Sequence, residues 1–237
     1  MKKTLLILTC LVTTTKVFAQ NIEVSAGLST GIMHYAGKSA ESVSSINGIN
    51  ANTGYTNNPY GSKNGVGFGG NVQAQLVLIK SFIVGLQGSY ESLKSKIDIN
   101  QVYRNNDPLA NEDARATSST MLRTSYLTLN PYIGYRLPIP VVKLDILAGI
   151  EFAHITDARE KGSAKTFDGT AITTDRDRKN ISTDNRLKFG LNAGYNRFGL
   201  FANYSHGLRN YYSGYIGGPA MEAHTEIVRI GLNYRIY

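Results

Sequence analysis

The segment "SYLTLNPYIGYRLPIPVVKLDILAGIEF", Ser125 to Phe152, holds two runs of strict alternation around one tight link. In the first run Leu127, Leu129, Ile133, Tyr135 and Leu137 share a face, against Thr128, Asn130, Tyr132, Gly134 and Arg136. In the second, Val142, Leu144, Ile146, Ala148, Ile150 and Phe152 oppose Lys143, Asp145, Gly149 and Glu151. A period of two is the signature of β-strands with two unlike faces. The link "LPIPVV" leaves room for little more than a turn.

The same alternation recurs outward in both directions. It sets Ile22 to Ile32 against Glu23 to Gly31, Val66 to Leu78 against Gly67 to Gln75, and Phe82 to Tyr90 against Gly85 to Glu91. Beyond the central pair it continues in "RLKFGLNAGYN", "GLFANYSHGLR" and "EIVRIGLNYRI". This predicts an all-β chain of about eight strands, each long enough to cross a bilayer at the roughly 9–11 residues a tilted strand needs. The connections sort by length. Residues 36–64, 98–120, 156–183 and 210–223 are long and polar, whereas 79–82, 137–142 and 196–198 are tight. Such sorting fits a closed antiparallel up-and-down barrel in an outer membrane, with long loops outside and short turns in the periplasm. Within the third long connection, "KTFDGTAI" predicts a hairpin that turns at Asp168-Gly169.

Composition narrows the class. The 237 residues carry a formal charge of +8, 18% charged residues, 24 Gly, 15 Tyr and no Trp, which excludes a disordered acidic or basic chain. Basic residues are interleaved with acids, as in "TDRDRKN", so no single-sign patch for nucleic acid is visible. "MKKTLLILTCLVTTTKVFAQ" has a charged start, a short apolar run and "VFA" before Gln20; residues 1–19 read as a signal peptide and 20–237 as one barrel domain. Cys10, the sole cysteine, falls inside that leader after Thr9, a poor acylation site, so neither lipidation nor a disulfide is expected.

The inward faces collect Glu23, Glu91, Asp145 and Glu151 with Arg136, Lys143, Lys188, Arg229 and Arg235. Eight strands enclose a space that side chains fill, so a network of paired charges is expected rather than an open channel. Glu23 should face Arg235 where the first and last strands meet. Tyr135, Tyr195 and Tyr234 end descending strands at one depth and, with Phe82, form one interfacial girdle. Tyr35, Phe68, Tyr90 and Phe152, with Tyr211 and Tyr212, are the expected opposite girdle. Leu232, Tyr234 and Ile236 form an outward row, and Tyr237, of opposite parity, is expected to point away from that row or to lie beyond the last ladder bond.

Catalytic and metal signals are weak. Ser205 and His206 are neighbours on a strand and point to opposite faces, so they cannot pair as nucleophile and base. His34, His154, His206 and His224 lack ligand spacing. "NGVGFGG" precedes no helix, and Lys179 occupies a ligand position that a calcium loop would need. No cofactor and no metal are expected.

"SYLTLNPYIGYRL", "LDILAGIEF", "KFGLNAGYNRFGLFANYSHGL" and the closing "IGLNYRI" resemble the small outer-membrane β-barrel family that includes PorT-like proteins, with OmpA and OmpX barrels as architectural relatives. The resemblance implies a C-terminal signal read by the barrel assembly machinery, here Leu232, Tyr234, Ile236 and Tyr237. It also implies a secretion-accessory role with an envelope protein partner. The expected function is a non-enzymatic scaffold among outer-membrane lipids and lipopolysaccharide, using four long loops for surface contacts. A lipid A-modifying barrel enzyme and a small solute pore are the rival classes. A lipocalin-like soluble barrel would reverse the two faces.

Overall fold

The computed structural model describes residues 21–50, 52–78, 81–104, 115–166, 169–213 and 220–237. The leader assigned to residues 1–19 lies outside them. The chain is all-β, and alternation dictates where each strand starts and which face it presents. Eleven strands run in order: β1 (Asn21–Ala36), β2 (Val43–Gly48), β3 (Thr53–Thr56), β4 (Lys63–Val77), β5 (Phe82–Arg104), β6 (Arg115–Leu137), β7 (Lys143–Thr166), β8 (Ala171–Asp177), β9 (Thr183–Tyr195), β10 (Phe198–Gly207) and β11 (His224–Arg235).

They form one sheet whose pairings return on themselves. β1 pairs with β4 and β11, β4 with β5, β5 with β6, β6 with β7, β7 with β9, β9 with β10 and β10 with β11, all antiparallel. Above this circuit, the far ends of β5, β6 and β7 join β8, β3 and β2 through β7–β8, β3–β8, β2–β3 and β2–β5. The sequence reading of about eight strands did not foresee the short strands β2, β3 and β8, which bring the strands among the described residues to eleven. The expected strict antiparallel order is corrected, because β2–β5 and β3–β8 are parallel.

The reason lies in the side chains. Along the lower parts of the strands, apolar residues face out and polar ones face in: Phe68 is 71% exposed and Leu232 67%, while Gln75, Glu91 and Asn130 are buried. Beyond Tyr90, Leu127 and Phe152 the sense inverts. Ile97, Ile99, Val102, Ala116, Ala164, Ile172 and Ile46 pack together inside, and Lys96, Arg123, Arg159 and Lys161 face out. Outward polar residues make such stretches read as loops in sequence, yet their inward apolar residues extend β5, β6 and β7 to 23, 23 and 24 residues. A β-bulge at Thr156, opposite Ser125 and Tyr126, lets β7 change parity where the polarity changes. The hairpin after β7 is present: β8 pairs with β7, Gly169 donates its N–H to the Thr166 carbonyl at 3.0 Å, and its φ is +89°. Asp168 itself lies outside the described residues. The tight turns sit at the opposite end, where Ser81 and Asn196 adopt positive φ.

Candidate functional site

The interior is stacked in levels along the strands. At the short-turn end, Arg136 on β6 clamps Glu23 with two bonds, 3.1 Å and 2.8 Å, and reaches Asp145 at 2.6 and 2.8 Å. Lys143 adds a bond to Glu23 at 2.8 Å, and Arg235 lies 3.5 Å from the same carboxylate across the β1–β11 pairing. Gln75 donates to Glu23 at 2.8 Å and accepts from the Tyr132 hydroxyl at 3.0 Å. Tyr132 lies along the inner wall over Gly85 of the adjacent strand, where a Cβ would collide with its ring.

One level up is a second cluster of six ionic groups. Arg186 bonds Asp184 at 2.8 Å, Glu151 at 3.0 Å and Glu91 at 3.3 Å. Arg229 bonds Glu91 at 2.6 and 2.7 Å, Glu151 at 3.0 Å and Ser205 at 2.7 Å. Lys188 bonds Glu151 at 2.9 Å and Gln87 at 2.7 Å. Three carboxylates meet three cations, and all six are buried. Unpaired ions here would cost several kcal/mol each, so mutual compensation is what lets the cluster exist.

Over the clusters sits an aromatic layer. Tyr35, Tyr60 and Tyr211 meet at ring separations of 4.9–5.6 Å, and Tyr212 packs on Tyr60 at 4.9 Å. Tyr211 donates to Asp184 at 3.1 Å, and burial pushes its phenol well above the ordinary range. Tyr35 was expected in the outward girdle; it lies fully buried, as do Tyr211 and Tyr212. Parity explains the correction, since Tyr35 follows the odd, inward set of β1 with Met33 and Gly31. The described interior voids around the charged levels are about 10–20 Å³, room for single waters rather than a pathway.

The other girdle residues, Phe68, Phe82, Tyr90, Tyr135, Phe152, Tyr195 and Tyr234, face outward. Phe82 meets Tyr135 at 5.7 Å, and Phe198 meets Tyr234 at 5.3 Å. Leu232, Tyr234 and Ile236 form an outward row along β11 and its end. Tyr237 does not overhang: its N–H and carbonyl both bond Val24, at 3.2 and 2.8 Å, while its ring stays exposed.

Sequence reasoning missed Asp184 and Arg186: the run "RLKFGLNAGYN" opens on Arg186, but its inward set counts only from Lys188, although the alternation of Leu187 and Phe189 places both on the inward face. It also missed Glu160 and Arg178, which tie β3 to β7. Glu160 accepts from the Thr56 N–H and hydroxyl at 2.8 and 2.6 Å and from Arg178 at 2.5 Å.

The histidines come closer than their spacing suggests. Glu226 lies 3.4 Å from His34 and 3.6 Å from His206, and His206 stacks on His224 at 6.1 Å. His154 lies outward on β7. Among the described residues no group of three His, Cys, Asp or Glu is placed to hold a metal ion. Ser205 points inward to Arg229, away from His206.

Comparison with known proteins gives the chain its family. The outer membrane protein beta-barrel domain matches residues 18–213. No curated protein matches the sequence. Among solved structures, Ail, the attachment invasion locus protein of Yersinia pestis, in complex with the heparin analogue sucrose octasulfate, is 13% identical with a TM-score of 0.39, over 92% of this chain and 100% of that one. Neisserial surface protein A is 11% identical with a TM-score of 0.40, over 91% and 99%. The outward apolar belt, the polar interior and the family match agree: the chain belongs to the outer membrane protein beta-barrel domain family, and its place is the outer membrane.

Proposed function

We propose that the protein is a non-enzymatic surface protein whose eight longer strands close a transmembrane barrel and carry a folded extension outside the cell. The inversion of polarity along β5, β6 and β7 supports this reading above all. Water selects apolar-inside packing and hydrocarbon selects apolar-outside packing, so one strand that changes sense has a different solvent on each side of the change. From Phe82 to Tyr90 the outward belt runs about 27 Å along the strand, or about 20 Å of height at a tilt near 40°. The extension, with its own apolar core, is the part built to meet partners. A filled lumen argues against the solute pore, and the inward direction of Ser205 against the lipid A hydrolase. The resemblance of the strand motifs to PorT-like barrels supports a secretion-accessory version of the same role. Removal of residues 1–19 on export and recognition of the β11 row by the assembly machinery belong to this reading.

The test uses single cysteines, since Cys10 is the only one in the sequence. Ser163→Cys, on the extension, should react with a membrane-impermeant maleimide on intact cells. Arg197→Cys, in a short turn, should react only after permeabilisation. The reverse pattern would overturn the orientation, and equal labelling of both would overturn the span. Migration on a detergent gel should shift on boiling if the strands form a closed barrel.

A further inference from the structure

The outer face of the extension carries an arrangement that sheet energetics disfavour. Lys94 stands directly opposite Arg123, and Arg123 directly opposite Arg159, so three cations form one row across β5, β6 and β7. In the next row Lys96 stands opposite Lys63. Like charges paired across strands destabilise a sheet. Part of this is offset locally: Arg123 reaches Asp157 at 3.1 Å, Arg159 pairs with Asp175, and Lys63 with Asp98. Lys94 and Lys96 have no carboxylate partner among the described residues. The surplus of positive charge is thus centred on two lysines and the guanidinium beside them.

Its height matters. Tyr90 pairs with Leu127 at the top of the outward apolar belt. Lys94 lies four residues further along β5. That is about 13 Å along the strand, or about 10 Å above the belt after tilt. The row therefore faces the headgroup layer of the outer leaflet and not open solvent.

Resting on the barrel reading above, we infer that Lys94, Lys96 and Arg123 form a binding site for the phosphate groups of a phosphorylated glycolipid, the lipid A end of lipopolysaccharide. A phosphate seated between Lys94 and Arg123 accepts charge-assisted bonds from both and turns their repulsion into shared attraction. The guanidinium offers a planar donor pair and the ammonium groups offer mobile point charges. The two-dimensional sheet surface lets the site lie flat against a leaflet, which a pocket for a free ion would not require.

The experiment uses the full chain refolded in detergent and native mass spectrometry to count bound lipid. The probes are bisphosphorylated lipid A and the same glycolipid stripped of both phosphates. The wild-type protein should prefer the phosphorylated form by about thirtyfold, the scale expected for two cations at about 1 kcal/mol each near a membrane surface. The K94Q/R123Q variant should lose that preference, and K165Q/K179Q, elsewhere on the extension, should keep it. Millimolar inorganic phosphate should not displace the lipid; displacement would make the row a general anion site and overturn the assignment. Equal binding of the two lipids by heat-shifted, folded protein would overturn the site and leave the barrel standing. A band that never shifts on heating would overturn the barrel reading and the site with it.

Discussion

Replacing Arg186 with methionine probes what holds the interior together. Arg186 has no exposed side-chain surface and is surrounded by Asp184, Glu151 and Glu91 at 2.8, 3.0 and 3.3 Å. Its guanidinium also lies 4.1 Å from the centre of the Tyr126 ring. Methionine keeps most of the length and removes the charge, which leaves three carboxylates against Lys188 and Arg229. Deleting one partner of a buried pair costs about 3–5 kcal/mol, because the other charge stays behind unpaired. The lost cation–π contact adds about 1 kcal/mol. The assay is equilibrium unfolding of refolded protein in micelles, read as the fraction of the band that shifts on heating. The variant should unfold at clearly lower denaturant. Adding Asp184→Asn removes one carboxylate, restores equal numbers of each sign and should recover about 2 kcal/mol. An Arg186→Met protein within about 1 kcal/mol of wild type would refute the reasoning, since ordinary substitutions reach that size. So would a double variant no better than the single one, because the loss would then be steric.

Three further outcomes follow from the same geometry. Arg136→Leu should cost about 3 kcal/mol and Arg235→Leu about 1 kcal/mol or less, because the partly buried Arg136 clamps both buried carboxylates, Glu23 and Asp145, while the more exposed Arg235 only touches Glu23. Adding Glu23→Gln to Arg235→Leu should worsen stability in the same unfolding assay; rescue would mean that Arg235 is the main partner. Glu160→Ala should speed proteolytic cutting within residues 49–57 without changing the heat shift, because it frees Thr56 and Arg178. Unaltered cutting would show that β3 is held by its strand pairings alone. Tyr234→Ala and deletion of Tyr237 should lower the heat-shifted fraction in outer-membrane preparations to a similar extent: the first loses about 1.5–3 kcal/mol of apolar contact, the second two backbone bonds to Val24 worth about 1 kcal/mol each. A normal fraction after deletion of Tyr237 would show that its bonds to Val24 do not anchor the end of β11.

Alternation by itself determined most of the lower structure. Leu127, Leu129 and Ile133 against Thr128 and Asn130 needed no partner strand to be read, because the two faces of a strand are fixed by successive residues. Inward Glu23, Arg136, Asp145, Glu151, Lys188 and Arg229 were legible for the same reason, and their meeting follows from a narrow lumen. Tyr35 lies inward as its parity requires, whereas its place near a strand end reads as that of a girdle residue. Only the tertiary structure decided the rest. Register put Glu91 of β5 beside Arg229 of β11, and Glu226 between His34 and His206. It also set Lys94, Arg123 and Arg159 in one row. The short strands β2, β3 and β8 exist because the ends of β5, β6 and β7 leave apolar residues facing inward that must be covered. Each such fact joins residues far apart in the chain, whereas alternation is written between neighbours: a strand states which way its side chains point, and only the sheet states whom they meet.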